Sequence, residues 1–577
     1  MRVVRGCSIA LGLSFVLALI GPACSDAAGE EDYGITGPFQ DTEPLGKADN
    51  AGIPGPLVNT NTSDTQVWSA RNQWEDRDTA AAKLAGMAWP ANSGLNWDEK
   101  YVAWVQSLAK VPGNDTYYDT FQVTTPWGKT VPAPKLECSE NAMFLRIAFA
   151  SWYELPFYMT ATDDKGVRVF FGHFGARTAT KRYAGTPQYA LSYKDYTKDF
   201  ANKTPAEIAA KWPKDTKLRA RGLSGADDVM DYIAAGARAG AYFDEVFLNK
   251  RVGYYLLLML DYFGSMNLAN SRNTYNLKPQ ALRTGDVLVE RWQANGIGHT
   301  LVAKSVIPLD GGRLQAELVS GSMPRRQPKW DDAVQSKEYF TSEMMGGEGT
   351  SYEGDEYVKL GGGLKRWRVT KNVRGYWTNT WMAADESSWI SDTDWARLKT
   401  RPAEFESILG EVPPEQQRDA LLRMISDARS HLKEYPASCS ARENREKAFG
   451  DLYALAQRAF GQSASDVDTQ YRVIDDYVFA PLVYTQSKTC CWNSSTAAMY
   501  QIIMDYEQTL QGTCHEPVVF KAAGGGYKTF SDYAAQTGRS LQWKPWTEDE
   551  PCAQRGVDTD LEADHAWIPW CTASAGR

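Results

Sequence analysis

The sequence predicts an α+β protein, a buried helix with an antiparallel hairpin, followed by a mainly helical, disulfide-bonded C-terminal region. Three observations predict this. Residues 142 to 153, inside "ECSENAMFLRIAFASWY", form an apolar run broken by Arg146 and Ser151, the pattern of a buried helix. "GDVLVERW", "GHTLVAKSVIPL" and "RLQAELVSGS" read as strands, the last two joined at "DGG" as a hairpin. From about residue 392 to 460 the chain turns to charged segments with helical spacing, and six of its nine cysteines lie between 439 and 571.

The chain has 577 residues, too many for one hydrophobic core, so two or three domains are expected. Its net charge is −9, acidic and basic residues are mixed, and no basic stripe occurs, which argues against a nucleic-acid partner. The 20 tryptophans and 29 tyrosines supply either aromatic core packing or flat platforms for sugars or peptides.

The N-terminus reads as a secretory signal peptide over residues 1–24: basic "MRVVRG", apolar "CSIALGLSFVLALIG", then small residues. Ala23-Cys24 resembles the end of a bacterial lipobox, which implies a lipid on Cys24, a membrane anchor and an exported, cell-envelope lipoprotein. Gly21 stands where such boxes carry leucine, and cleavage after Ala27 is the alternative. Residues 25–66, rich in Gly, Pro, Asp, Asn and Thr, read as a flexible linker. No later segment, "VGYYLLLML" included, is long enough to span a bilayer.

Order is expected from Val67, with helical spacing in "WSARNQWEDRDTAAAKLAGMAW" and "WDEKYVAWVQSLAKV". "LPFYMTAT" and "VRVFFGHF" read as strands around the turn "DDKG". Residues 200 to 265 read as helical, with Thr204 as an N-cap and Pro205 as a first helical residue. "MMGGEGTSYEGDEYVKLGGG" reads as a loop, and "VPPEQQRDALLRMISDARSHLKEY" as a helix with prolines ahead of an acidic first turn. The domains expected are therefore 67–390 and 391–577.

Cys138 stands at the front of the apolar run, whose helix should begin at residues 137 to 139 and end before Pro156. There, free backbone N–H groups and the positive end of the helix favour a thiolate and can hold an oxyanion. A hydrolase built on this sulfur needs a base, and the chain has only five histidines. His431 lies in a charged helix and is expected to be solvated. His515 and His565 lie in the cysteine-rich tail, and His173 sits in "FFGHFG". His299 opens a strand, where Gly296 and Gly298 let a substrate chain approach.

A helix-capping cysteine, a "GDVLV" strand and a "GHTLVA" strand resemble the papain-like cysteine hydrolases of the NlpC type, over residues of about 130–325. The resemblance implies a helix on an antiparallel sheet, with Cys138 as nucleophile, His299 as general base and a third polar residue on the next strand. It implies cleavage of amide bonds in peptides, including peptidoglycan-like ones, with no cofactor and no metal. The insertion at about 160–280 departs from the family, where cysteine and histidine lie closer in sequence. Hairpin register decides the third residue. A two-residue turn puts Ser322 opposite His299 and Glu317 opposite Lys304; a three-residue turn puts Glu317 opposite Ser305 on the His299 face. Glu317 is the choice on chemistry, with Ser320 and Ser322 as alternatives.

Other readings stay open. The Cys138 helix, His173 and an aspartate such as Asp195 resemble a transglutaminase-like arrangement, although Gly175 stands where that family carries an aromatic residue. "QSKTCCWNSSTAAMY" resembles the cysteine segment of papain, with Cys491, upstream Gln486 and "ADHAW" around His565, but the separation is short for that fold. A non-catalytic envelope lipoprotein that binds glycan or protein is the reading from a different class. Cysteine parity favours Cys138: Cys439, Cys490, Cys491, Cys514, Cys552 and Cys571 can form three bridges, which leaves Cys138 unpaired.

Overall fold

A computed structural model describes residues 52–58, 63–78, 88–294, 298–351, 353–410, 412–434, 439–473 and 476, with short pieces between 501 and 542. The signal peptide, Cys24, Gly296, His515, His565 and Cys490, Cys491, Cys514, Cys552 and Cys571 lie outside the described residues.

The protein mixes helices with antiparallel sheets. Its largest sheet has seven strands: β1 (Thr274–Leu277), β2 (Val287–Glu290), β3 (His299–Pro308), β4 (Leu314–Ser320), β5 (Lys329–Asp331), β6 (Gly363–Trp367) and β7 (Trp389–Ile390), in the spatial order β5-β4-β3-β2-β6-β1-β7. Side chains alternate between its faces. Val302 and Val319 join the cluster built around α2 (Cys138–Trp152), whereas Leu301, Ala303, Ala316 and Leu318 join a second cluster with Phe340 and Phe405. The sheet is thus buried on both faces, and its central strands bury polar side chains such as Thr300, Lys304, Lys365 and Arg366 among the apolar ones.

α2 lies at the centre of the larger cluster; of its fifteen residues only Ser151 is not buried. Its Arg146 is 1% exposed. Both Arg146 terminal nitrogens lie 3.4 Å from Asp98 Oδ1, on α1 (Trp97–Ser107), and the guanidinium sits 3.6 Å above the Trp74 ring and 4.5 Å from the Tyr101 ring. Asp98 is also bonded to Arg283. Burial pushes the Asp98 carboxyl up, but the charges of Arg283 and Arg146 outweigh it and hold the group ionised. Beyond them Arg366 on β6 grips Asp286 at 2.6 and 2.8 Å and also binds Asp385, which accepts from the Tyr275 hydroxyl at 2.6 Å.

Four expectations change. Ile53–Leu57, inside the expected linker, pairs with Tyr376–Thr380 as a strand, and the Tyr158 hydroxyl donates to the Ile53 carbonyl. Tertiary hydrogen bonds overrode a composition that favours flexibility. The stretch from Trp68 to Asp78 is not helical: the Trp68 and Trp74 indoles donate to the carbonyls of Leu155 and Pro156, both at 2.8 Å, and tie it across the end of α2 as a strap. Residues 200 to 265 hold several helices with turns and irregular chain between them, ending in α3 (Lys250–Tyr262). Nor does the segment at about 160–280 form its own core, because Tyr242, Phe243 and Leu256 belong to the α2 cluster. Thr204 does cap the helix Pro205–Ala210, with Glu207 completing a capping box.

α4 (Ala333–Thr341) lies between β5 and β6 in the chain, and α5 (Pro414–Glu434) and α6 (Cys439–Leu455) follow the last strand of the sheet. α5 and α6 form a helical hairpin around Leu421, Ile425, Phe449 and Leu452. His431 on α5 is half-buried beside the Tyr117 ring, 6.5 Å between centroids, rather than solvated. Among the described residues no helix is long and apolar enough to cross a membrane.

The buried ion cluster makes a quantitative expectation. Asp98→Asn leaves two guanidiniums without their carboxylate and should destabilise the protein by about 3–5 kcal/mol. Arg146→Met should cost less, because Asp98 keeps Arg283. Urea unfolding followed by tryptophan fluorescence checks the order; equal losses would show that Arg283 does not share the charge.

Candidate functional site

Cys138 is the first residue of α2, as its sequence position predicts. Glu140, at the third helical position, accepts from the Glu137 backbone N–H at 2.8 Å, so one free donor of the helix start is satisfied. The same carboxylate takes Arg325 Nε at 2.9 Å and Nη2 at 2.6 Å, and Arg325 also bonds Asp227 at 2.7 Å. The first turn of α2 is therefore bolted to the loop that follows β4.

β4 ends at Ser320, and beyond that point β3 has no strand partner on its β4 side, while β2 still pairs with its other side. The start of α2 fills the place. Gly321 makes this possible: a Cβ there would stand 2.1 Å from the Leu136 carbonyl oxygen and 2.6 Å from that of Glu137. The Cys138 Sγ–H donates to the Gly298 carbonyl at 3.7 Å, while the N–H groups of Thr300 and Ser139 point at the sulfur. The thiol thus lies against the backbone on both sides of His299. Gly298 is itself confined, since a Cβ would meet the Glu290 carbonyl oxygen at 2.6 Å.

The His299 imidazole has different neighbours. Alternation puts it on the face of Leu301 and Ala303, with the Tyr339 ring of α4 6.0 Å away. Directly across the β2–β3 ladder stands Glu290. Arg326 and Asp331 act on the ring through their charges. Among the described residues the ring makes no hydrogen bond, so none runs between thiol and imidazole.

Electrostatics reverse one expectation. Burial pushes the Cys138 thiol up to about 11; the Thr300 and Ser139 amides oppose this, and the charges of Glu137 and Glu140 add to it. The helix terminus favours a thiolate, but desolvation and two nearby carboxylates win. Burial and the Arg326 charge lower His299 to about 4 against a weaker pull from Asp331. At neutral pH the two groups are an uncharged thiol and an uncharged imidazole.

The other residues singled out in the sequence fall as follows. Glu317 pairs with Ser305, six residues along β3 from His299 and about 20 Å away at ~3.3 Å per residue, so it cannot orient that ring. Both registers weighed above occur in the hairpin. Ser305 faces Glu317 near the turn, and a bulge at Lys304 resets the pairing to Ala303 with Leu318 and Val302 with Val319. Continued toward the helix start, that register sets Ser322 opposite His299. The Ser322 N–H donates to the Leu136 carbonyl, and Ser320 pairs with Lys329. Glu317 instead accepts from the Trp330 indole at 3.0 Å and lines a cleft of about 270 Å³ with Lys110, Asp119, Asp332 and Arg423. His173 is fully buried against Phe174 and Trp377, its Nδ1 3.0 Å from the Phe157 carbonyl oxygen, and burial lowers it to about 4. Asp195 bridges to Asn249 elsewhere. The transglutaminase-like trio is therefore not assembled. Sequence reasoning passed over Glu290, Asp331 and Tyr339; pairing "GDVLVERW" with "GHTLV" would have found Glu290.

No protein-family model, curated protein or solved structure matches the chain.

Thiol reactivity checks the electrostatic reading. Iodoacetamide should label Cys138 in the folded full chain more slowly than it labels free cysteine at pH 8, with a rate that climbs toward pH 11. Glu137→Gln should move that climb to lower pH. Peptide mapping reads the site, and labelling at pH 6 faster than free cysteine would restore the thiolate.

Proposed function

We propose that the protein is a cysteine hydrolase that cleaves amide bonds in peptides, with Cys138 as nucleophile and His299 as base, on a papain-like arrangement of the NlpC type. The observation that carries this reading is the seat of the Cys138 sulfur: first residue of a buried helix, against the backbone at Gly298 and Thr300 that flanks the only histidine on the adjoining strand. A helix meeting an antiparallel sheet at this point supports the fold half of the reading.

In the reaction the His299 ring first has to reach the Cys138 Sγ–H, which rests on the Gly298 carbonyl; it then takes the thiol proton as sulfur attacks the amide carbonyl and the C–S bond forms. The C–N bond then breaks, and His299 gives that proton to the departing amine. Water, deprotonated by His299, next attacks the thioester, releasing the acid and restoring the thiol. Because both groups are uncharged at rest, His299 acts as a general base during attack and no ion pair is stored beforehand. The helix-terminal amides offer donors for the oxyanion. The aromatic-rich composition and the N-terminal "PACSD" support an envelope setting, a lipid on Cys24 and cell-wall peptides as substrates.

A peptide-amide library that includes peptidoglycan stem peptides tests the activity on the full chain. Cys138→Ala should lose about 10³-fold or more, and His299→Ala about 10²–10⁴-fold. Turnover that survives in Cys138→Ala sinks the reading. Absence of turnover, with no acyl adduct on Cys138 by mass spectrometry, favours instead a glycan- or protein-binding lipoprotein, a reading that the buried, protonated thiol supports. For the anchor, radiolabelled palmitate should enter the wild type and not Cys24→Ala; label in both, or in neither, rejects it.

A further inference from the structure

We infer that Glu290 is the residue that positions the His299 imidazole, the role that chemistry alone had assigned to Glu317. His299 and Glu290 are direct partners across the β2–β3 ladder. Side chains so placed lie on one face with Cβ atoms about 5 Å apart, within reach of an imidazole–carboxyl hydrogen bond. Both are half-buried, and among the described residues neither side chain has a hydrogen bond or an ion pair. A half-buried carboxyl without a partner is costly and needs a reason.

The rival groups on this face are engaged. Asp331 on β5 holds Lys329 at 3.1 Å. Arg326 stacks on the Tyr118 ring, 4.9 Å from its centroid. Tyr339 of α4 covers the patch, its phenol held protonated chiefly by burial, with the negative charges of Asp331 and Glu290 adding to that. Glu290 is the carboxyl left to meet the ring.

Burial raises Glu290 to about 7, and His299 is lowered to about 4. Between those values the pair carries one proton: a carboxylic acid beside a neutral imidazole, or the isomeric carboxylate beside an imidazolium. Above about 7 the carboxylate is free to stabilise the imidazolium that forms when His299 takes the thiol proton. The catalytic consequence rests on the hydrolase reading; the pairing itself does not.

The test is an NMR titration of the full chain carrying ¹³C-labelled histidine rings; with five histidines, His299→Asn assigns the signal. In Glu290→Gln the His299 titration should change, because the ring loses the second inflection, near pH 7, that ionisation of the Glu290 carboxyl gives it in the wild type. Glu317→Gln should leave it unchanged. An unchanged His299 titration in Glu290→Gln, or the same change in Glu317→Gln, overturns the proposal. If Glu290→Gln does not fold, the wild type decides: a coupled pair gives the His299 ring two inflections and an isolated ring gives one. On a peptide amide that the wild type hydrolyses, Glu290→Gln should lower kcat about 10²-fold with KM unchanged and remove the rise in rate through pH 7. A coupled titration with no Cys138-dependent hydrolysis would retire the hydrolase and keep the pair. Hydrolysis indifferent to Glu290→Gln would retire the positioning role and keep the hydrolase.

Discussion

A helix as apolar as α2 has little in its packing to fix how far it slides along its own axis, since one methyl-lined groove resembles the next. Two charges supply that constraint. Arg146 reaches Asp98 between the rings of Trp74 and Tyr101, and Glu140 takes two bonds from Arg325. Each is directional and buried, so a shift of one helical step leaves a charge unpaired at a cost of several kcal/mol. Together they hold α2 in register with the sheet. The Cys138 sulfur, attached to the end of that helix, inherits from them its position on the side of β3 that β4 leaves uncovered.

The same arrangement sets the state of the thiol. The ion pair that bolts the helix start brings Glu140, with Glu137 beside it, close to the sulfur, and the packing that buries the helix removes water. Both effects oppose the helix terminus, and the thiol stays protonated. A nucleophile held this way is inert until a base is aligned with it. That shifts the chemical burden onto the imidazole and whatever steers it.

Much of the framework was legible in the sequence because it depends on local signals. The apolar run of α2 with its cysteine at the front, the "DGG" hairpin and the Thr204 capping box are each encoded within a few residues. What was not legible depends on non-local pairing. The third residue hinged on hairpin register, and the bulge at Lys304, which gives each half of the hairpin a different register, has no marker in "LVAKSVIP". Glu290 lies on the strand before His299, and the local pattern of "GDVLVERW" carries no marker of the register that pairs the two. "IPGPL" carries the glycine and prolines of a linker and becomes a strand only because Tyr376–Thr380 offers it an edge. Likewise the helical spacing around Trp68 and Trp74 yields to two indole hydrogen bonds made to residues more than eighty positions away.

The intervening segment at about 160–280 explains how such a helix is tolerated. A helix packed on one face of a sheet normally keeps a polar side toward water. α2 has none to spare, so its far side must be covered by chain from elsewhere. Phe243 stacks on Phe144 at 5.9 Å with an interplanar angle of 26°, Tyr242 meets the same ring edge-on at 6.0 Å, and the Trp152 indole donates to the Val246 carbonyl. These residues complete the burial of α2 rather than form a separate body. The sequence distance between Cys138 and His299 is therefore a consequence of the apolarity of α2: the residues that part the two groups along the chain are the ones that let the helix carrying the cysteine be buried on every side.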